Sequence, residues 1–138
     1  MIHIATGPVA LAMRDDWLPV LQRAIDHADG RWSIEQVLSD VSACRVHVWM
    51  VSRETKLVGV FTTRVVDGPA RWVLLDCCAG DDLAGWIGAA LAAVESWARG
   101  VGAAQIVAEG RLGWQKAMRP YGYAPTLITC VKHLETLN

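Results

Sequence analysis

The stretch Ala93–Tyr123, "AVESWARGVGAAQIVAEGRLGWQKAMRPYGY", decides the fold. It opens in the last turns of a helix that Gly100 closes. The run "AAQIVA" (103–108) follows as a strand, and a strand reached through a helix pairs naturally in parallel with one that precedes it. A polar corner, Glu109-Gly110-Arg111, then turns the chain into a short helix over about Gly113 to Arg119, which Pro120 ends. Tyr121-Gly122-Tyr123 leads to a closing strand, "TLITCVKHL" (126–134), rich in β-branched residues.

Working outward, the helix before this stretch starts near Asp82. Its apolar stripe is Leu83, Ile87, Ala90, Leu91, Val94 and Ala98, and Glu95 and Arg99 are spaced as an i,i+4 pair. Three strands precede it, 45–52, 57–66 and 71–78, separated by the turns "RETK" and "DGPA", which reads as an antiparallel meander. Before the meander come two helices. One begins at Asp16, with Trp17, Leu21, Ala24, Ile25 and Ala28 recurring at helical spacing and Gly30 closing it. The second begins in "RWSIEQVL", where Ser33 and Gln36 form a capping box and Trp32 can staple against Val37. "IHIA" at the start is a short strand broken by Gly7-Pro8. The order is β-α-α-β-β-β-α-β-α-β, an α/β (α+β) fold with a mixed central sheet flanked by helices, in one domain over residues 1–138.

Composition narrows the function. Thirteen basic side chains against fourteen acidic give a formal charge of -1, which argues against a dedicated nucleic-acid binder. No apolar run approaches the roughly 18 residues a membrane helix needs. The N-terminus has no basic leader followed by an apolar core, so the expected compartment is the cytoplasm of whichever cell makes the protein. Cys44, Cys77, Cys78 and Cys130 form no C-x-x-C pair, and adjacent Cys77 and Cys78 point to opposite faces of a strand, so no metal site is expected.

This order of elements, over essentially the whole chain, resembles the GNAT superfamily of acyl-CoA-dependent N-acetyltransferases. The C-terminal part is similar to the short GNAT-like proteins encoded by tailed bacteriophages. The residues that carry this are Trp97, Ala98 and Gly102 at the helix end, Gly110, Arg111, Gly113 and Trp114 at the corner, and Gly122 and Tyr123 before the last strand. "GRWSIEQVL" (30–38) and "HVWMV" (47–51) also resemble that group.

The resemblance implies acetyl-CoA, held in active members by an R/Q-x-x-G-x-G/A loop whose amides and helix start bind the pyrophosphate. On "DDLAGWIGAAL" that pattern puts Leu83 at the basic position and Trp86 at the first glycine, and only Gly88 agrees. Shifting the frame to use Gly85 puts Gly80 at the basic position. Gly80, Gly85, Trp86 and Gly88 are therefore the cofactor-binding candidates if the protein is active. Asp81 and Asp82 complement the helix dipole but oppose an anion. The family's L-Y-x-x-x-G-F acid pattern falls on Ala117, Met118, Gly122 and Tyr123, and the thioether of Met118 donates no proton. Tyr121 is the nearby alternative acid. Glu109 is the best-placed base and His47 the second, while Asp76, in an apolar strand, needs a cationic partner from Arg64, Arg71 or Arg111.

The corner thus reads in two ways. Glu109 and Arg111 could face a cleft for an acyl-pantetheine arm, or Gly110 and Gly113 could simply permit the turn while Arg111 pairs and Trp114 packs. The second is preferred. Seven tryptophans accompany one Phe and two Tyr, and Trp72 and Trp86, with Arg111, would form a contact patch if exposed together. The expectation is a phage-type GNAT-fold protein with a degenerate acyl-CoA site. It would act by contact with a phage structural or host protein as a virion or assembly component, with self-association left open. The alternative is an active acetyl-CoA-dependent N-acetyltransferase acting on an amine through Glu109 and Tyr121.

Overall fold

A computed structural model describes residues 1–110 and 113–134. Its elements run β1 (Ile2–Thr6), α1 (Pro8–Ala12), α2 (Arg14–Asp26), α3 (Ile34–Ser42), β2 (His47–Arg53), β3 (Lys56–Val66), β4 (Trp72–Gly80), α4 (Leu83–Gly100), β5 (Gln105–Ala108) and α5 (Gly113–Met118), closed by a 3-10 turn over Arg119–Tyr121. Strand order follows chain order: β1 to β4 pair antiparallel and β5 joins β4 in parallel. The expected mixed sheet is what forms.

Two local readings change. Gly7-Pro8 does not merely break β1: Pro8 starts the extra helix α1, where its fixed φ and missing N–H cost nothing. The expected closing strand is absent. Residues 124–134 belong to no strand, because a β-rich sequence becomes a strand only where an edge hydrogen-bonds it.

The sheet separates two cores. On one face Trp17, Leu21 and Ile25 of α2 and Val37 and Val41 of α3 pack on Val48, Met50, Val60 and Cys77. Ser33 caps α3 by accepting from the Gln36 amide at 3.1 Å, as the capping box requires. On the other face Trp86, Ile87, Ala90, Leu91, Val94 and Ala98 of α4 pack on Trp49, Val51, Phe61, Val73 and Leu75. α4 ends at a left-handed Gly102, whose amide reaches the Arg99 carbonyl while the Ala103 amide reaches that of Ala98. That reversal aims β5 back alongside β4.

Candidate functional site

The sheet shifts register twice, once between β2 and β3 at Val51/Ser52 and once between β3 and β4. Thr62 pairs with Cys77 and Thr63 with Leu75, so Asp76 is an extra residue in β4. Such a bulge bends a strand and re-aims its side chains. At the same point β5 leaves β4: the parallel pairing spans Trp72–Leu75 against Gln105–Ala108, and its last bond is the Glu109 amide to the Leu75 carbonyl at 3.0 Å. Beyond it β5 no longer follows β4, whose residues Cys77–Gly80 continue in register with β3. A slot opens where an ordinary sheet would continue.

A cavity of about 210 Å³ opens there on the α2–α3 side, lined among others by His27, Asp29, Asp76, Cys77, Glu109 and Trp114. Glu109 is exposed at its rim and has no ion pair among the described residues. The Trp114 ring folds back over Gly110, where a side chain would strike it. The corner is therefore both a tight turn and the lip of a cavity, so the two readings of it are not exclusive. Arg111 lies outside the described residues.

Asp76 has the partner its burial demands. Its carboxylate accepts from the Thr62 hydroxyl at 2.6 Å and from Arg64 Nε at 3.2 Å, with the side chain 3% exposed. Arg64 also reaches Asp40 at 3.4 Å and lies 5.0 Å above the Trp32 ring. Burial, with the Asp76 charge beside it, pushes the Cys77 thiol up to about 11, so Cys77 is a protonated wall of the cavity.

The helix start departs from the sequence reading. Asp82 takes a left-handed conformation and makes no capping hydrogen bond, so the first amides of α4 are left uncapped by side chains. Each carboxylate is tied to an arginine from elsewhere: Asp82 to Arg53 of β2 at 2.8 Å, Asp81 to Arg23 of α2 at 3.7 Å. The basic groups missing from the loop arrive from two other elements, a convergence no local spacing could reveal.

The four cofactor candidates lie in different settings. Gly80 is required by close backbone approach, since a side chain there would strike Val58 and Gly59. Gly85 lies under the Arg53–Asp82 pair and Gly88 under the Tyr121 ring. Trp86 is buried at 1% exposure, stacks parallel to Phe61 at 6.5 Å, and donates its indole N–H to the Asp81 carbonyl at 2.8 Å. No exposed patch of Trp72 and Trp86 forms, because helical phase turns Trp86 inward over Gly59.

Glu109 and Tyr121 are not in one cavity. Glu109 rims the α2–α3 side, while Tyr121 lies half-exposed on α4, on the opposite face. His47 is half-buried, stacks edge-on to Trp97 at 5.2 Å on the α4 face, and lies level with the bulge, two strands away through Thr63 and Leu75. Sequence reasoning missed another polar atom, the Tyr123 hydroxyl: it is buried beside the Glu95 carboxylate, and burial with that charge pushes it up to about 12. Among the described residues, no three His, Cys, Asp or Glu side chains converge as a metal site, and no helix is long and apolar enough to cross a membrane.

No protein-family model and no curated protein sequence matches the chain. Solved structures do. A probable acetyltransferase superposes with a TM-score of 0.75 at 11% identity, over 99% of both chains. An aminoglycoside N-acetyltransferase in complex with CoA gives 0.73 at 12%, over 99% of this chain and 96% of that one. A predicted acetyltransferase with acetyl-CoA from Clostridium acetobutylicum gives 0.70 at 10%, over 96% of both chains. At these identities the likeness is one of fold: the chain has the α+β fold of the GNAT acetyltransferases.

Proposed function

We propose that the chain is an acyl-CoA-dependent N-acyltransferase, with acetyl-CoA as donor and an amine as acceptor. The observation that carries this is a coincidence at one point of the sheet: the Asp76 bulge, the end of parallel pairing at Leu75 and Ala108, and Glu109 at the rim of the cavity. The same fold in structures with CoA and acetyl-CoA supports it.

The donor, when bound, supplies an activated thioester carbonyl. The edge of β4 beyond Leu75, which β5 no longer follows, suits an extended, amide-bearing arm running alongside it as a neighbouring strand would. The uncapped amides of α4, with Arg53 and Arg23 beside them, suit the pyrophosphate once it displaces Asp82 from Arg53. Gly85 and Gly88 make room on the first two turns of that helix for the Arg53–Asp82 pair and the Tyr121 ring. Glu109 takes a proton from the acceptor amine, directly or through one water, on the α2–α3 side. Tyr121 Oη, approaching from the α4 side, holds the proton destined for the departing thiolate.

Calorimetric titration with acetyl-CoA, with desulfo-CoA and buffer as controls, tests the reading. Binding at tens of micromolar or tighter, roughly 6 kcal/mol or more, is expected, followed by amine-dependent thiol release that Glu109→Gln depresses. No heat at millimolar donor overturns it. That result would favour the second reading, a contact protein of bacteriophage type with a degenerate site. Its support is the two carboxylates at the start of α4 and the lack of an Arg or Gln in the loop.

A further inference from the structure

The charged groups lining the cavity at the bulge are of two kinds, those satisfied within the molecule and those open to a ligand. Asp76 is held by Thr62 and Arg64. Asp29 turns both carboxylate oxygens to the His133 ring, each at 2.9 Å. Glu109 and Arg31 remain. Both line the cavity, both are exposed, and neither makes an ion pair or a side-chain hydrogen bond among the described residues.

Backbone geometry brings Arg31 there. Asp29 and Gly30 are consecutive left-handed residues, φ 57° and 74°, and the Arg31 amide closes their turn on the Ala28 carbonyl at 3.2 Å. The chain thus turns out of α2 and carries Arg31 and Trp32 to the cavity together. Arg64, 5.0 Å from the Trp32 ring, fixes that wall from one face. Trp114 and the protonated Cys77 add further apolar lining, and His27, at the end of α2, adds one more hydrogen-bonding group.

A ligand complementary to this lining carries an amine for Glu109, an anion for Arg31 and an apolar group for the tryptophans. We infer that the acceptor is a free amino acid or a similarly compact aminocarboxylate, an inference that rests on the acyltransfer reading above. Arg31 holds its carboxylate while its amine meets Glu109. A guanidinium suits a carboxylate because its planar fork donates two parallel hydrogen bonds. Size agrees: a cavity of about 210 Å³ lies below the roughly 300–1,000 Å³ of pockets for drug-sized ligands, which favours a single amino acid over a multi-ring amine. A diamine fits less well, since its second ammonium would meet Arg31 while Asp29 is already engaged. In the transfer the amine nitrogen bonds to the acyl carbon as the C–S bond breaks. One amine proton goes to Glu109, and the departing thiolate takes one from Tyr121. Arg31 has no part in that exchange and is a positioning residue.

Tryptophan fluorescence tests the binding without any donor, with Trp32 and Trp114 as reporters. Leucine and phenylalanine are each compared with their amides, which keep the amine and side chain and lose only the anion. The amino acids should bind about ten- to a hundredfold more tightly, the range a hydrogen bond to a charged group supplies. Arg31→Gln should abolish that preference and leave amide binding unchanged. In turnover with acetyl-CoA the preference should lie in KM and not in kcat, and Arg31→Gln should raise KM for the amino acids alone. Equal binding of acid and amide, binding of neither, tighter binding of putrescine, or a preference that survives Arg31→Gln overturns the inference. The wild-type ratio decides even if the variant were to misfold. Calorimetry with acetyl-CoA judges the acyltransfer reading separately. No donor binding sinks that reading and the acceptor role with it, whereas donor binding without a preference for the carboxylate sinks this inference alone.

Discussion

Arg64 is the residue on which the candidate site depends most. Its guanidinium is the only cation against Asp76 among the described residues, and it is shared with Asp40. Arg64→Met leaves the Asp76 carboxylate buried with one hydroxyl donor. Removing one partner of a buried pair costs about 3–5 kcal/mol; the partial exposure of Arg64 places this case toward the lower end. A fall in the urea midpoint is expected, and Asp76→Asn in the same chain should restore part of it, since the penalty is the uncompensated charge. His47 makes a second prediction. Burial holds its protonation below the ordinary 6.5. The unfolded chain therefore takes up the proton first as pH falls through 6.5, and stability declines from there to the folded value, while above 6.5 the contribution is complete. Urea melts of His47→Gln across that window should show a shallower decline than wild type; parallel slopes would assign the acid sensitivity elsewhere.

At the scale of the element, α4 shows what the sequence could and could not reveal. Its stripe of Leu83, Ile87, Ala90, Leu91, Val94 and Ala98 marks a buried helix by spacing alone, and the structure buries all but Leu83 fully. Trp86 belongs to the same face, yet a motif alignment treats it as a position in a loop. Its true environment depends on Gly59, distant in sequence, whose missing side chain makes room for the ring. Trp86→Ala is therefore a core deletion and should cost about 3–5 kcal/mol, read as a lowered urea midpoint. A change below 1 kcal/mol would mean the ring is not where the fold puts it. The meander was legible because each strand carries its own turns, and α3 because Ser33 caps it locally. The Arg53–Asp82 pair was not, because it joins β2 to α4. Nor was the fate of "TLITCVKHL", because strand formation belongs to two segments and a sequence displays one.

The whole molecule is one sheet between two cores, with the slot between its last two strands. The Asp76 bulge was invisible in the sequence because it is a register relation between β3 and β4, and the separation of Glu109 from Tyr121 arises from which face each element covers. That separation allows donor binding to be tested apart from chemistry. A ligand filling the slot ties β4, β5 and the start of α4 together, and binds only the folded chain. At a hundredfold excess over its dissociation constant it adds about 2.7 kcal/mol, which for a domain of this size raises Tm by roughly 10 °C. On the proposed reading Glu109 serves the acceptor, so Glu109→Gln should keep that shift while turnover falls by roughly 10²–10⁴. Arg53→Met should do the opposite, shrinking the shift while leaving turnover at saturating donor nearly unchanged. Scanning calorimetry with and without acetyl-CoA on the two variants separates these. If both lost the shift together, Glu109 would belong to the donor site; if neither did, the start of α4 would hold no phosphate.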